Sequence, residues 1–367
     1  MHAQLIFRKF ARIMRHIQFD THIDTIHRRL PFFLATEEWV ARRLPADEYF
    51  FCWQVDPTVI CGRNQEINKE VDLHYCADNG IDVVRRRSGG GAVFADRENF
   101  MFSYITPGDE VTTEFAHYTS LIAQSLRNIG IEAEATGRND ITINGKKVAG
   151  NAFYHLPGRC IAHGTMLYNF DPKHIANALT PSRAKLESKG VKSVPSRVTC
   201  LKNEGVKLST GEFEQYMINS ITDGNPYIIN EADLQEIMLI EQQYYAPGFL
   251  KIGAVAPHHD NIPGENHEST TSADNERVRC FSRRIPDVGE FNIRLTTDSA
   301  NRITALSITG DFMTDGEVTD ITTALIGTEY TQASIRAVIA TLPVGSIITG
   351  LTDTTLLCLL LPNSKPA

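Results

Sequence analysis

The stretch GRNDITINGKKVAGNAF, residues 137–153, predicts a β-hairpin. Its Asn144-Gly145 pair is the strongest short-range signal for a two-residue turn, so Ile143 is expected to lie opposite Lys146. Because side chains alternate between the faces of a strand, counting away from the turn sorts the hairpin into two faces. We expect one face to hold Ile141, Ile143, Val148 and Lys146, and the other to hold Asp140, Thr142, Ala149 and Lys147.

The two lysines of this hairpin receive different expectations. Lys146 lies at the tip of the apolar face and can bend into water, whereas Lys147 is directed into a site as a diagonal neighbour of Asp140. The alternative is a surface salt bridge, which contributes less than about 1 kcal/mol. A lysine beside an aspartate is also what activation of a carboxylate by ATP requires, because the lysine neutralises the anions and the aspartate holds Mg²⁺.

A second stretch, RRRSGGGAVF at residues 85–94, places three arginines before three consecutive glycines. Adjacent glycines cost conformational entropy, and the usual gain is a backbone whose N–H groups converge on an anion. We interpret the stretch as an anion-binding loop, with a mobile hairpin connection as the alternative. Strand alternation puts Arg86 on one side, and Arg85 and Arg87 on the other, and we expect at least one arginine at the mouth of a pocket. Arginines that face away from the pocket are expected to be solvated or to touch another part of the chain. The stretch matches neither the P-loop nor the dinucleotide-binding glycine pattern.

The order of the elements predicts the fold class. Strand-like runs lie in neighbouring hairpins rather than alternating with helices, which indicates an α+β fold around a largely antiparallel sheet with flanking helices. Helices are expected over residues 33–44, 67–80 and 118–129. The polar stretch 247–276, with its prolines and glycines, is interpreted as a linker between a domain at 20–246 and a small α+β accessory domain at 277–367. Within the latter, the run LLCLLL has the length of a strand.

Length and composition bound the class of protein. A chain of 367 residues favours two domains, and a net charge of -8 argues against a protein that coats nucleic acid or an anionic membrane. No run approaches the roughly 18 apolar residues of a membrane span. The seven cysteines contain no C-x-x-C pair and indicate neither a disulfide framework nor a zinc site, which fits a reducing, cytoplasmic compartment.

The first nineteen residues are basic and contain no acidic residue. We interpret residues 1–19 as a dispensable N-terminal extension, with Met14 as a plausible alternative start. A mitochondrial transit peptide is the alternative, although such peptides are rich in serine and this stretch is not.

Together these stretches resemble the lipoate-protein ligase A family. RRRSGGGAVF, GRNDITINGKKVAGNAF, AHGTMLYNFD and SKGVKSVPSRVTCL occur in that family's order and spacing, over most of residues 30–245. The resemblance implies a fold related to biotin ligases and class II aminoacyl-tRNA synthetases. It also implies that lipoate and MgATP give lipoyl-AMP and pyrophosphate, after which the lipoyl group passes to a lysine. The implied acceptors are the lipoyl domains of 2-oxoacid dehydrogenase E2 subunits and the glycine cleavage H protein. Neither a nucleic acid nor a membrane is expected as a partner.

The resemblance further implies which residues form the site. Lys147 and Arg86 match the catalytic cations, and Asp140 matches the metal region. The residues that match the lipoate pocket are Trp53, Gly62, Ser88, Gly89 and Lys147, of which Lys147 matches the lysine that contacts the lipoate carboxyl and the phosphate. The residues that match contacts of ATP or lipoyl-AMP are Ser88, Gly89, Gly90, Gly91, Ala92, Val93, Phe94, Asn99, Asn139, His163, Thr165, Lys189 and Gly190. From the residues alone, His163 is equally well interpreted as a histidine of the core.

Three alternatives to a lipoate ligase remain open at this point. Octanoyltransferases share the fold and form a thioester on a cysteine, for which Cys160, close to His163 in sequence, is the candidate. A biotin ligase and a non-catalytic lipoate-binding relative are also compatible with the pattern. The chain also departs from the family's pattern, since Phe33 and Cys200 stand where asparagines are usual and the linker lacks the usual tryptophan.

Overall fold

The computed structural model describes residues 14–109, 111–137, 139–169, 171–180, 197–251, 267–270 and 276–361. Over these ranges the strands form three sheets, of eight, four and three strands. None of the helices in the same ranges combines the length and the apolar character needed to cross a bilayer.

The largest sheet contains strands from the whole N-terminal two thirds of the chain. They are β1 (Met14–Phe19), β2 (Glu48–Trp53), β6 (Asn99–Pro107), β7 (Ala133–Ala135), β8 (Asp140–Ile143), β9 (Lys146–Leu156), β10 (Arg159–Leu167) and β11 (Tyr227–Ile229). Their order is β11-β1-β2-β6-β10-β9-β8-β7. All pairs from β2 to β7 in this order are antiparallel, whereas β1 runs parallel to both of its neighbours. The predicted α+β class with a largely antiparallel sheet is confirmed.

Strand β6 shows how this sheet divides the core. Phe100, Phe102 and Tyr104 pack into one hydrophobic cluster, and the alternating residues Met101 and Ile105 pack into a second cluster on the other face. Between these last two, the chain places a fully buried serine, Ser103. A buried hydroxyl needs hydrogen-bond partners, so the second face must carry a polar network at this depth.

Helices cover both faces of the large sheet. They are α1 (Leu30–Arg43), α2 (Ile67–Glu70), α3 (Leu73–Asp78), α4 (Val111–Asn128), α5 (Pro172–Ala178), α6 (Thr210–Ile221), α7 (Glu231–Tyr244) and α8 (Pro247–Leu250). Helices α4 and α6 pack into the first cluster, and α1 and α7 into the second. The single helix predicted over residues 67–80 is wrong in one respect: Asp72 breaks it by capping α3, where its carboxylate accepts the N–H of Tyr75 at 2.8 Å.

A three-stranded sheet lies beside the large one and carries the arginine and glycine run. Its strands are β3 (Thr58–Cys61), β4 (Asp82–Arg85) and β5 (Val93–Ala95), in the order β4-β3-β5. Residues 86–92 connect β4 to β5, so the three glycines lie at one end of this sheet.

The C-terminal part of the chain forms a second α+β unit with its own hydrophobic cluster. Its antiparallel sheet consists of β12 (His267–Thr270), β13 (Arg277–Ile285), β14 (Gly289–Thr297) and β15 (Ile303–Gly310). Its helices are α9 (Val318–Leu325), α10 (Gln332–Ile339), α11 (Val344–Ile347) and α12 (Asp353–Leu360). The run LLCLLL therefore lies almost wholly in a helix, and the expectation of a strand there is wrong.

Two stretches bear on the predicted domain division. Residues 14–19, which we assigned to an N-terminal extension, form β1, with Met14 and Ile17 buried, so this part belongs to the large sheet. The predicted linker 247–276 contains α8 and β12, and most of its other residues lie outside the described ranges. The boundaries themselves stay a prediction.

Candidate functional site

Residues 88–91, the glycine loop, pack against two other segments of backbone. A Cβ atom on Gly62 would lie 2.0 Å from the carbonyl oxygen of Gly90, and one on Gly89 would lie 2.6 Å from the carbonyl oxygen of Phe312. Gly90 has a φ of +87° and donates its N–H to the same oxygen of Phe312 over 3.1 Å. Glycine is required here because backbone from both α+β units approaches the loop closely.

Arg86 holds the glycine loop from inside. Its Nε donates to Ser88 Oγ at 2.9 Å, and its Nη1 donates to the carbonyl oxygen of Ile60 at 2.9 Å. Its Nη2 donates to the carbonyl oxygens of Gly89 and Gly91 at 2.6 and 2.9 Å. Burial lowers the pKa of the guanidinium to about 10, so it remains charged at neutral pH. Most of its donors shape the loop, and its predicted contact with a bound anion stays a prediction.

The two flanking arginines are also engaged. Arg85 is 2% exposed, and its guanidinium donates to three carbonyl oxygens within residues 62–65. Arg87 pairs with the buried carboxylate of Glu38 at 2.8 Å. The expectation that these arginines contact another part of the chain is therefore correct for both. The alternative expectation, that they are solvated, is wrong for Arg85.

The β8–β9 hairpin has the predicted turn and one irregularity. Lys146 lies opposite Ile143, as the two-residue turn requires. Farther from the turn the register shifts, so Ala149 lies opposite Ile141 and joins the core. The expectation that Ala149 shares the face of Lys147 is therefore wrong, because a bulge inserts one extra residue into β9.

The polar face of the hairpin brings Lys147 and Asp140 together, as predicted. Lys147 Nζ lies 2.6 Å from Asp140 Oδ1, and the second carboxylate oxygen pairs with Arg197. A Cβ atom on Gly150 would lie 2.3 Å from Lys147 Nζ, so the lysine occupies the space that a side chain would need. Lys146 is exposed, again as predicted.

Sequence reasoning did not single out Arg197. It directly follows residues 181–196, which lie outside the described residues together with the predicted site residues Lys189 and Gly190. Beyond the arginine, the N–H of Thr199 donates to the carbonyl oxygen of Lys147 at 2.8 Å, which fixes this segment against the hairpin. The motif SRVTCL contains the arginine but does not indicate its partner.

A chain of buried polar groups connects the glycine loop to the large sheet. His163 Nδ1 lies 2.9 Å from Glu37 Oε2, and His163 Nε2 lies 2.7 Å from Ser88 Oγ. Ser103 donates to Glu37 at 2.5 Å and accepts a hydrogen bond from Trp53 Nε1 at 2.8 Å. Nδ1 of the histidine therefore faces a carboxylate, and Nε2 shares a hydrogen bond with Ser88 Oγ, which also accepts a bond from the Arg86 guanidinium. This is the polar network that the buried serine of β6 requires.

The hairpin, the glycine loop and His163 surround a cavity of about 530 Å³. Apolar side chains of Leu34, Ile60 and Met101 line it beside the polar groups. The predicted site residues that line it are Trp53, Arg86, Gly90, Gly91, Ala92, Val93, Phe94, Asn139, Asp140, Lys147, His163 and Thr165. The sequence therefore predicted a set of residues that the fold does bring together, although their contacts with a substrate stay predictions.

Four predicted residues do not line the cavity wall. Gly62, Ser88 and Gly89 lie behind it, where they pack or hydrogen-bond within the loop region. Asn99 is 1% exposed and donates to Asp96 at 2.8 Å, so it stabilises the turn before β6. A direct role of these residues in binding is still a prediction.

Few side chains of the cavity can act as ligands of a metal ion. Within the described ranges, no group of three or more histidine, cysteine, aspartate or glutamate side chains is arranged to hold a metal. The predicted ligand Asp140 offers one carboxylate, which fits a Mg²⁺ ion that takes its other ligands from nucleotide phosphates and water. Such an ion would share that carboxylate with Lys147 and Arg197.

Cys160 lies on the wrong face of β10 for chemistry in the cavity. It is 1% exposed and packs in the first hydrophobic cluster, whereas His163, three residues along the strand, faces the cavity. Burial raises the pKa of the Cys160 thiol to about 12. The thiol is therefore protonated at neutral pH and separated from the site.

Comparisons with known proteins agree with this geometry. Residues 31–222 match the lipoyl protein ligase A/B catalytic domain, and residues 280–360 match the bacterial lipoate protein ligase C-terminus. Lipoate-protein ligase LplJ of Bacillus subtilis is 33% identical over 315 residues, which cover 83% of this chain and 89% of that protein.

Two solved structures have a similar fold. P. falciparum LipL1 in complex with lipoate has a TM-score of 0.65 at 19% identity, covering 92% of this chain and 94% of that one. The bipartite lipoate protein ligase of Thermoplasma acidophilum, studied with its E2 lipoyl domain, has a TM-score of 0.57 at 25% identity, covering 68% and 99%.

Proposed function

The chain belongs to the lipoate-protein ligase family, and from this premise we propose that it is an ATP-dependent ligase for lipoate. In the first step the lipoate carboxylate attacks the α-phosphorus of ATP, which gives lipoyl-AMP and pyrophosphate. In the second step the neutral amine of an acceptor lysine attacks the acyl carbon, and AMP leaves. The observation that carries the proposal is a lysine, Lys147, held on the polar face of a hairpin in the same cavity as the glycine loop.

Lys147 supplies the charge that the first step needs. The carboxylate and the α-phosphate are both anionic, and a cation between them stabilises the transition state more than the separated reactants. The Lys147 side chain is 20% exposed and lines the cavity, so its ammonium can turn from Asp140 to a substrate. Arg197 then remains on the other oxygen of Asp140 and keeps that carboxylate neutralised.

The glycine loop and Arg86 form the second part of the anion site. The loop residue Gly91 lines the cavity without a side chain, so a phosphate can approach its backbone closely, whereas the N–H of the neighbouring Gly90 already donates to Phe312. Arg86 fixes the loop by four hydrogen bonds and lends its positive charge to the same region.

Apolar side chains offer a place for the acyl chain and dithiolane ring of lipoate. Trp53 lines the cavity, and its ring stacks on Phe33 with centroids 4.7 Å apart and planes within 9°. The indole N–H is bonded to Ser103, so the tryptophan is fixed in orientation. A rigid aromatic wall beside Leu34 and Ile60 suits an unbranched acyl group.

Mg²⁺ is the metal that we expect with ATP, and Asp140 is the residue that would hold it. When bound, this ion neutralises phosphate charge and orients the nucleotide. The chain's own contribution is to position the carboxylate, which Arg197 continues to do once Lys147 has turned to the substrate.

Lipoyl domains are the acceptor class that we propose. The T. acidophilum ligase was studied together with its E2 lipoyl domain, which supports this class. We extend it to the E2 subunits of 2-oxoacid dehydrogenases and to the glycine cleavage H protein.

A thioester mechanism on Cys160 is disfavoured by geometry. The thiol is buried in the core on the opposite face of β10 from His163, and its raised pKa keeps it protonated. An octanoyltransferase would need a thiolate in contact with the acyl group.

The test is ATP–pyrophosphate exchange with lipoate, octanoate and biotin in parallel. Lipoate-dependent exchange, followed by transfer to a lipoyl domain, is expected. A lipoyl domain with arginine in place of its target lysine is the matched control and should remain unmodified. Exchange with biotin alone, or none with lipoate, would overturn the proposal.

A further inference from the structure

The second α+β unit contributes part of the cavity wall. Arg284, Asp287, Asp311 and Met313 line the cavity that also contains Lys147. None of these four residues was singled out from the sequence. They add one cation and two carboxylates to the site.

Backbone contacts bring this wall to the glycine loop. The N–H of Gly90 donates to the carbonyl oxygen of Phe312 at 3.1 Å, and the N–H of Gly310 donates to the carbonyl oxygen of Asn64 at 2.8 Å. Asp311 lies between these two contact points in sequence, so its position relative to the loop is fixed on both sides. Arg284 Nη1 in turn lies 3.5 Å from Asp311 Oδ2.

Arg284 differs from the other cations of the cavity in how its donors are used. Arg86 bonds to the loop, and Lys147 and Arg197 pair with Asp140. Nη1 of Arg284 is buried and has no hydrogen bond to any residue that the structure describes. The ion pairs of this nitrogen with Asp311 Oδ2 at 3.5 Å and with Glu290 Oε2 at 3.9 Å offset its charge but are too long for good hydrogen bonds. A buried N–H group without a hydrogen-bond partner is destabilising, and a ligand oxygen that accepts its hydrogen bond would remove that cost.

We propose that Arg284 binds the nucleotide, with its guanidinium donating to phosphate oxygens of ATP. The inference rests on the proposed ligase function and adds a residue from the second unit to it. A planar guanidinium matches two oxygens of a phosphate better than any other side chain does. Because Asp287 and Asp311 share this wall and would repel bare phosphates, the bound species is ATP with its Mg²⁺.

The experiment compares Arg284→Met with Arg283→Met. Arg283 is the neighbouring, exposed arginine of the same strand, so it matches the change in charge without reaching the cavity. Isothermal titration with the Mg²⁺ complex of α,β-methylene-ATP measures affinity without turnover. We expect Arg284→Met to raise Kd at least about tenfold and to leave KM for lipoate within about twofold, and Arg283→Met to change neither.

Unchanged nucleotide affinity in Arg284→Met overturns the inference. If the wild-type protein still shows lipoate-dependent exchange in that case, the ligase function stands and only the role of Arg284 fails. Loss of stability is separated from loss of binding by the rise in Tm on adding the nucleotide, measured from each variant's own ligand-free Tm. If Arg284→Met does not fold, nucleotide affinity is measured in Arg284→Lys instead. A single ammonium cannot donate to two phosphate oxygens as a guanidinium can, so we expect a raised Kd in this variant. Wild-type affinity in Arg284→Lys overturns the inference.

Discussion

Two adjacent lysines of β9 differ in the face of the strand that they occupy. Lys147 pairs with Asp140 beside the cavity, whereas Lys146 points into solvent. We expect Lys147→Ala to lower lipoate-dependent pyrophosphate exchange by about 10²–10³-fold, the range found when an electrostatic stabiliser of a transition state is removed. Lys146→Ala should stay within about twofold of wild type. Similar losses in both variants would contradict the assignment by strand face.

The amine of Lys147 lies directly over Gly150, which gives a second prediction. Gly150→Ala would place a methyl group where the amine now lies, since the distance from the new Cβ to Nζ would be 2.3 Å. We expect the methyl group to displace the end of the lysine side chain, so that its ammonium no longer reaches the substrate carboxylate, and exchange to fall at least about tenfold with Tm nearly unchanged. The control is Gly211→Ala, in helix α6, where nothing lies within 4 Å of the added atom. Full activity in Gly150→Ala would show that this position of the lysine is not needed.

The buried thiol of Cys160 leads to a prediction about activity and pH. Because its pKa is raised from 9.0 to about 12 in the folded protein, the unfolded chain loses this proton first as pH rises. The resulting stabilisation is complete below about pH 9 and declines above it. We expect Cys160→Ser to keep exchange and transfer activity, and to flatten the fall in Tm above about pH 9. Loss of all transfer activity would restore the thioester mechanism.

The side-chain pairs of the site were predictable where both partners lie close together in sequence. Lys147 and Asp140 are seven positions apart on one hairpin, so counting from the turn was enough to pair them. Arg197 and Glu37 were missed as functional partners because Asp140 and His163 are 57 and 126 residues away from them. Nothing in a local pattern indicates such distant pairs.

At the scale of whole elements, the apolar run of α12 shows the limit of pattern reasoning. A short run of consecutive leucines is compatible with a buried strand or a buried helix, and its periodicity does not distinguish them. The cap decides: the Thr352 hydroxyl accepts the N–H of Thr355 at 3.2 Å and starts a helix. The large antiparallel sheet was predictable because its hairpins are joined by short turns, whereas the bulge in β9 left no signal in the sequence.

Thr352 therefore carries a stability prediction. Thr352→Ala should lower the free energy of unfolding of the second α+β unit by about 1 kcal/mol, because the first turn of α12 loses its side-chain acceptor. The neighbouring Thr354 is exposed and caps nothing in the described structure, so Thr354→Ala is the matched control. Chemical denaturation measures both. Equal stability of the two variants would mean that the apolar face of α12, rather than its cap, determines the helix.

At the scale of the whole molecule, the cavity is a product of two units that touch through backbone. Each unit was predictable from its own strands and helices, but their contact was not, because it depends partly on carbonyl and N–H groups that every residue possesses and partly on side chains far apart in sequence, such as Thr309 with Glu66. The polar pairs around the contact, such as His155 with Asp315, are partly exposed. Partly exposed pairs contribute little, so the close packing at Gly89 and Gly90 is the better candidate for what holds the units together.

Gly89→Ala tests the role of this packing. Its Cβ would lie 2.6 Å from the carbonyl oxygen of Phe312 and 2.9 Å from Cα of Met313, and backbone atoms cannot rotate away as a side chain can. We expect the units to separate, which would raise the radius of gyration in solution scattering and weaken binding of the Mg²⁺ complex of α,β-methylene-ATP. Glu317→Gln removes the exposed ion pair with Arg63, which is worth about 0–1 kcal/mol, and should leave both quantities unchanged. A radius of gyration that rises in Glu317→Gln but not in Gly89→Ala would assign the contact to charge instead of backbone packing.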